Sequence, residues 1–187
     1  MSQKIFSKNK NYSGFSFIEG ILAIFLISTG MLAVVSLMSG SLKESMGSRD
    51  QVIGVLLSQE GIELVRNLRD NNWANDRDTF DISSFPPNNC SNCRIDITST
   101  AVLGNGSFTL KSRASDNVYN HTSGADTKFQ REIQVEYDGV DKNTAKITSI
   151  VVWGSKSFAD VSPLNTKCNS SNKCAYTQTT LTRWGGM

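Results

Sequence analysis

Histidine, proline and cysteine are scarce in this chain: its 187 residues hold one, three and four of them. The single imidazole, His121, excludes any mechanism that needs two, and with it every histidine-rich metal site. Net charge is scarce too, with 19 Lys and Arg against 17 Asp and Glu, a balance of +2. That is too little for a protein whose affinity comes mainly from neutralising nucleic-acid phosphates. Charge is absent altogether from Gly20 to Leu42, a run of 23 residues. At about 1.5 Å per residue this is enough to cross a hydrocarbon core of about 30 Å. The remaining composition, 39% hydrophobic and 19% charged residues, suits a packed core better than a disordered chain. At roughly 150 residues per domain, the length predicts one domain with an appendage.

The placement of charge says more than its total. Residues 1–14 carry Lys4, Lys8 and Lys10 and no acid, and residues 15–42 carry a single ionisable group, Glu19. A basic flank before a long apolar run predicts a membrane segment with its N-terminus on the cytoplasmic side. The run is longer than the apolar stretch of a secretory signal peptide, and an acid stands near its start. An ordinary anchor accounts for the length but not for the acid, since a carboxylate in a membrane helix costs about 2.5–3.5 kcal/mol at its centre.

The local sequence accounts for both. Residues 14–19 read Gly-Phe-Ser-Phe-Ile-Glu after a short basic leader and before an unbroken apolar stretch. This resembles the processing site of type IV prepilins and pseudopilins. The resemblance implies cleavage between Gly14 and Phe15 by a membrane peptidase, N-methylation of Phe15, and Glu19 as the fifth residue of the mature chain. Family members commonly have Thr-Leu where this chain has Ser16 and Phe17, a mild departure. The spacing has a physical reason. Cleavage creates an ammonium at Phe15 that must lie among apolar helices once subunits stack, and Glu19 of a neighbour supplies the opposite charge. A pair satisfied in one axial register fixes the subunit stagger. The competing reading is a carboxylate that merely snorkels at the interface.

Beyond the apolar run, residues 43–70 lack proline. Apolar side chains recur there at Ile53, Leu57, Leu64 and Leu68, flanked by Leu56 and Val65, and these offsets mark one face of a helix. Arg49, Asp50, Glu60, Glu63, Arg66 and Arg69 fill much of the rest. A single helix from Phe15 to about Asn72 is predicted, roughly 87 Å long. Gly40, Gly47, Gly54 and Gly61 repeat every seven residues along it and so form one stripe. The stripe reads equally as a groove for close approach of neighbouring helices or a strand, or as chance.

Residues 70–92 are rich in Asn, Asp and Ser and contain Pro86-Pro87, which bars helix and central strand alike. Strands are predicted at 93–98, 107–111, 129–137, 146–153 and 176–183. Phe129, Ile133, Val135 and Tyr137 alternate with polar residues, as a half-buried strand requires. The expected fold is α+β: a long N-terminal helix packed on an antiparallel sheet. The expected organisation is a cleaved leader at 1–14, a membrane or filament-core helix at 15–42, and a globular domain at 43–187.

The cysteines fall in two pairs, Cys90 with Cys93 and Cys168 with Cys174. Four thiolates can hold zinc, although the second spacing is looser than a zinc ribbon's. A location outside the cytoplasmic membrane favours disulfides, with the two local bridges expected among three possible pairings. Asp76, Asp78 and Asp81 read as solvated charges at the helix exit rather than calcium ligands, and His121 reads as exposed in a polar stretch. No nucleophile elbow surrounds any serine. Neither enzyme activity, nor cofactor, nor metal is expected.

Two further stretches, residues 56–73 (Leu-Leu-Ser-Gln-Glu-Gly-Ile-Glu-Leu-Val-Arg-Asn-Leu-Arg-Asp-Asn-Asn-Trp) and 179–184 (Thr-Thr-Leu-Thr-Arg-Trp), look like the post-membrane helix and terminal strand of minor pilins of the PilV type. With that family, the loop closed by Cys168 and Cys174 resembles a disulfide-bounded variable loop, shorter than most. The resemblance implies a filament subunit whose partners are other pilin subunits, the prepilin peptidase and methyltransferase, and the membrane before assembly. It implies a cytoplasmic-membrane location first and an extracellular pilus afterwards. A pseudopilin of a secretion or DNA-uptake apparatus shares the same N-terminus. A pilus-displayed module binding DNA or a host surface would need clustered Lys and Arg with aromatics. Residues 154–187 offer only Lys156, Lys167, Lys173 and Arg183 against Asp160.

Overall fold

The computed structural model describes residues 14, 16–104, 106–115, 118–139 and 142–183. The chain divides into two units, residues 1–46 and 47–187. Helix α1, Phe17–Ala74, contributes to both. Within the first unit the helix is uncharged from Gly20 to Leu42, and none of its residues there is buried.

In the second unit α1 is amphipathic. Its buried positions Gly54, Leu57, Ser58, Gly61, Ile62, Val65, Leu68, Arg69 and Asn72 recur at three- and four-residue intervals, the spacing of one helical face. Leu56, expected beside that face, is exposed, and Ile62 is buried in its place. The helix ends two residues later than expected. Asp76 adopts φ 54°, a left-handed turn of the kind that stops helices. Asn72 then draws the departing chain back, donating to the Thr79 carbonyl at 3.2 Å and to Ser84 Oγ at 2.7 Å.

The sheet is antiparallel throughout and has seven strands. At its centre β5 (Ala125–Asp138) pairs with β6 (Thr144–Trp153) in an unbroken register from Phe129 opposite Trp153 to Asp138 opposite Thr144. Strand β7 (Cys174–Thr182) follows on the far side of β6. The other edge of β5 is shared, with β1 (Cys90–Arg94) beside its C-terminal half and β3 (Thr109–Ser112) beside its N-terminal half. Two-residue strands, β2 (Leu103–Gly104) and β4 (Tyr119–Asn120), extend β1 and β3.

Alternation decides which side chains meet the helix. Ile133, Val135, Ile147 and Leu181 pack with Ile62, Val65 and Leu68 in one core cluster. Phe129, Val151, Trp153 and Ala175 pack with Leu57 and Leu110 in a second. The intervening side chains of β6, Ile150 and Val152, point to the opposite face and are covered by Val161 and Phe158. That cover comes from a 3-10 turn at Ala159–Val161 and the short helix α2, Leu164–Lys167. The predicted α+β arrangement is therefore the one adopted. Its strand limits differ: β1 starts at Cys90 instead of residue 93, and β5 starts at Ala125 instead of residue 129, because residues 125–130 have a partner in β3.

Candidate functional site

The N-terminal features lie in the first unit. Gly14 is exposed, with nothing within 4 Å of a Cβ built on it. Phe15, the expected new terminus and methylation site, lies outside the described residues, as do residues 1–13 and Trp184. The helix begins as the Glu19 and Gly20 amides donate to the Ser16 carbonyl at 2.9 and 3.2 Å. Glu19 stands in the first turn, where a carboxylate complements the helix dipole. It is exposed and has no ion-pair partner among the described residues.

Downstream of Glu19 the helix offers apolar surface on all sides: Ile24, Phe25, Leu32 and Leu37 are each more than half exposed. It is long and apolar enough to cross a membrane, and none of that segment is buried inside the protein, unlike the core helix of a soluble domain. Three of its hydroxyls are satisfied within the helix. Ser28 donates to the Ile24 carbonyl at 2.7 Å, Thr29 to Phe25 at 3.0 Å and Ser39 to Val35 at 2.9 Å. Such back-bonding lets a hydroxyl sit among lipid tails or apolar helices without an unmet donor.

The glycine stripe divides in two. Gly40 and Gly47 face open space. Gly54 lies under the Trp153 ring, 2.7 Å from where a Cβ would be, and Gly61 lies against Ser149 with Ile133 nearby. The approaching element is thus strand β6 of the same chain, and the two glycines let it come close to the helix.

The cysteines form two bridges, Cys90–Cys93 and Cys168–Cys174, and no free cysteine remains. The first spans a bulge in β1, where Cys90 faces Val135 and Cys93 faces Ile133. The second ties the end of α2 to the start of β7. Among the described residues no group of three or more His, Cys, Asp or Glu is placed to hold a metal ion. Two of the three helix-exit acids are engaged: Asp78 pairs with Arg183, whose hydrogen bond holds its carboxyl below the ordinary range, and Asp81 accepts from the Ser83 amide at 2.7 Å. Tyr137, close by, donates to the Pro86 carbonyl at 2.8 Å. Burial and the Asp78 charge push its hydroxyl up to about 12.

The basic residues near the C-terminus do not form one patch. Lys173 and Arg183 flank the nine-residue β7, a separation of about 30 Å. Asp160, held low by the Ser157 amide, also feels the charges of Lys156 and Lys167.

His121 corrects the sequence reading. It is buried, with Nδ1 2.5 Å from Asp96 Oδ1 and its own amide donating to the same oxygen at 3.0 Å. Arg131, on the core-facing side of β5, is fully buried as well. Neither was legible as a site, because Asp96 lies 25 residues from His121 and the side-chain partners of Arg131 lie 36 or more residues from it. No family model, curated protein or solved structure matches the chain.

Proposed function

We propose that this chain is a structural subunit of a type IV pilus or related filament, of the minor-pilin kind, cut after Gly14 and assembled through its N-terminal helix. The observation that carries the proposal is the combination of Gly14-Phe15 and Glu19 with a helix that buries none of its residues up to position 46. Such a helix needs an apolar surrounding. The bilayer supplies it before assembly, and neighbouring helices supply it in a filament. Lipid tails and Leu side chains are equally apolar, so hydrophobicity alone does not select between the two states. A charge pair does. The Phe15 ammonium and a neighbour's Glu19 are costly when separated in apolar surroundings and are satisfied together in one stagger.

The proposal is non-enzymatic and places the second unit outside the cytoplasmic membrane, where two local disulfides are chemically at home. It is tested by shearing surface filaments from cells and measuring intact masses by mass spectrometry. The expected species is this chain in the filament fraction, starting at Phe15 and lacking residues 1–14. A chain that keeps Met1, or one found in membranes but never in filaments, would overturn it.

A further inference from the structure

The outer edge of β7 has no part in the filament reading, and hydrogen bonds at its two ends fix which way its backbone points. Just before the strand the Lys173 carbonyl accepts from the Trp153 amide at 3.1 Å, and just after it the Arg183 amide donates to the Asn143 carbonyl at 2.8 Å. In an antiparallel pair a residue turns its N–H and C=O to the same side, and successive residues alternate. The register is unbroken from Cys174 opposite Val152 to Thr182 opposite Thr144. Residues 175, 177, 179 and 181 therefore turn to β6, and the even-numbered residues turn outward. Cys174 is occupied, its amide donating to the Asn169 carbonyl at 3.1 Å. For Tyr176, Gln178, Thr180 and Thr182, all exposed, no backbone partner stands on the outer side among the described residues. Their N–H and C=O groups form an open ladder.

Proteins ordinarily blunt such an edge with charge, proline or a bulge. Strand β7 has none of these: residues 174–182 read Cys-Ala-Tyr-Thr-Gln-Thr-Thr-Leu-Thr, and the register runs without a shift. The occupant follows from symmetry. A second copy of β7 laid antiparallel about a two-fold axis at Thr179 sets Tyr176 opposite Thr182 of the second copy and Gln178 opposite its Thr180, each pairing occurring twice. Every open N–H and C=O of both copies is then satisfied, and any other antiparallel stagger satisfies fewer. The side chains agree. Tyr meets Thr and Gln meets Thr on one face, Thr177 meets Leu181 and Thr179 meets itself on the other, and no charge faces a like charge. We propose that β7 is a homophilic docking edge, through which two copies of this chain join their sheets in an isologous antiparallel pair centred on Thr179. The two-fold axis reverses residues 47–74 of α1 between the copies. The contact therefore joins copies held in opposite directions, not neighbours stacked in one filament. The proposal does not depend on the filament reading.

The test is sedimentation velocity on the full chain, held at one copy per phosphatidylcholine nanodisc so that the apolar segments of different copies stay apart. An interface one strand wide belongs to the small, transient class, so wild-type discs should pair as concentration rises toward about 100 μM. Gln178→Glu combined with Thr180→Glu sets acid opposite acid at both places where these residues cross and should weaken pairing about tenfold. Gln178→Lys combined with Thr180→Glu sets opposite charges at the same places and should pair within about threefold of wild type, or more tightly. Both positions are exposed and their backbone groups turn away from β6, so each variant keeps its own sheet. Wild-type discs that stay single at about 100 μM, or acidic and mixed variants that behave alike, would overturn the proposal.

Discussion

At the scale of single residues, the glycines of α1 make the sharpest contrast. A methyl group at Gly61 would collide with Ser149 and press on Ile133, so Gly61→Ala should destabilise the folded domain by about 1–3 kcal/mol. Gly47→Ala adds the same methyl to open space and should stabilise the helix by up to about 1 kcal/mol. Denaturant titration of both variants checks this, and equal effects would refute the assigned close approach. Glu132 supplies a second contrast. It is buried on the face away from the helix, and burial pushes its carboxyl above the ordinary range despite the hydrogen bond from Gln134. The folded state therefore holds this proton more tightly than the unfolded chain does. The ionised group costs stability at high pH, and the cost fades as pH falls through the raised folded value and is gone below about 4.3, the unfolded value. Glu132→Gln should raise stability at pH 8 on the order of 1 kcal/mol, with the gain vanishing toward pH 4. A loss at pH 8 would contradict this account.

At the scale of elements, the Cys168–Cys174 bridge fixes the start of β7 against the segment that covers Ile150 and Val152. Replacing both cysteines by serine should cost about 2 kcal/mol, chiefly by freeing the unfolded chain. Thiol labelling of denatured, unreduced wild type should find no reactive cysteine, and stoichiometric labelling would reverse the pairing. The elements themselves were legible to different degrees. The 3.6-residue recurrence through residues 53–68 located α1, and strict alternation at 129–137 located the heart of β5. Periodicity failed where partners came from afar. Residues 125–128 fall outside the predicted strand because they lack an apolar alternation, yet β3 pairs with Ala125 and Asp126. Strand β1 was misplaced because the bulge between Cys90 and Cys93 breaks alternation. The two-residue strands β2 and β4 are too short to leave any pattern.

At the scale of the whole molecule, the two kinds of candidate site differ in how far sequence reaches them. The residues proposed for processing and assembly form a contiguous motif, Gly14 to Glu19, legible without a fold because the proposed chemistry is local. The cluster of Glu60, Asp96, His121 and Arg131 spans 72 positions of sequence and was invisible, with His121 placed on the surface, because only the sheet brings its members together. The central claim is that Glu19 meets a neighbour's terminal ammonium in a filament. The most direct measurement is the amount of this chain in sheared filaments relative to the membrane pool, for wild type, Glu19→Asp and Glu19→Leu. Removing one member of a buried pair costs about 3–5 kcal/mol, so Glu19→Leu should insert in the membrane and be cleaved yet be nearly absent from filaments, with Glu19→Asp intermediate because its reach is one methylene shorter. Equal incorporation of all three would contradict the account and leave the segment an ordinary membrane anchor.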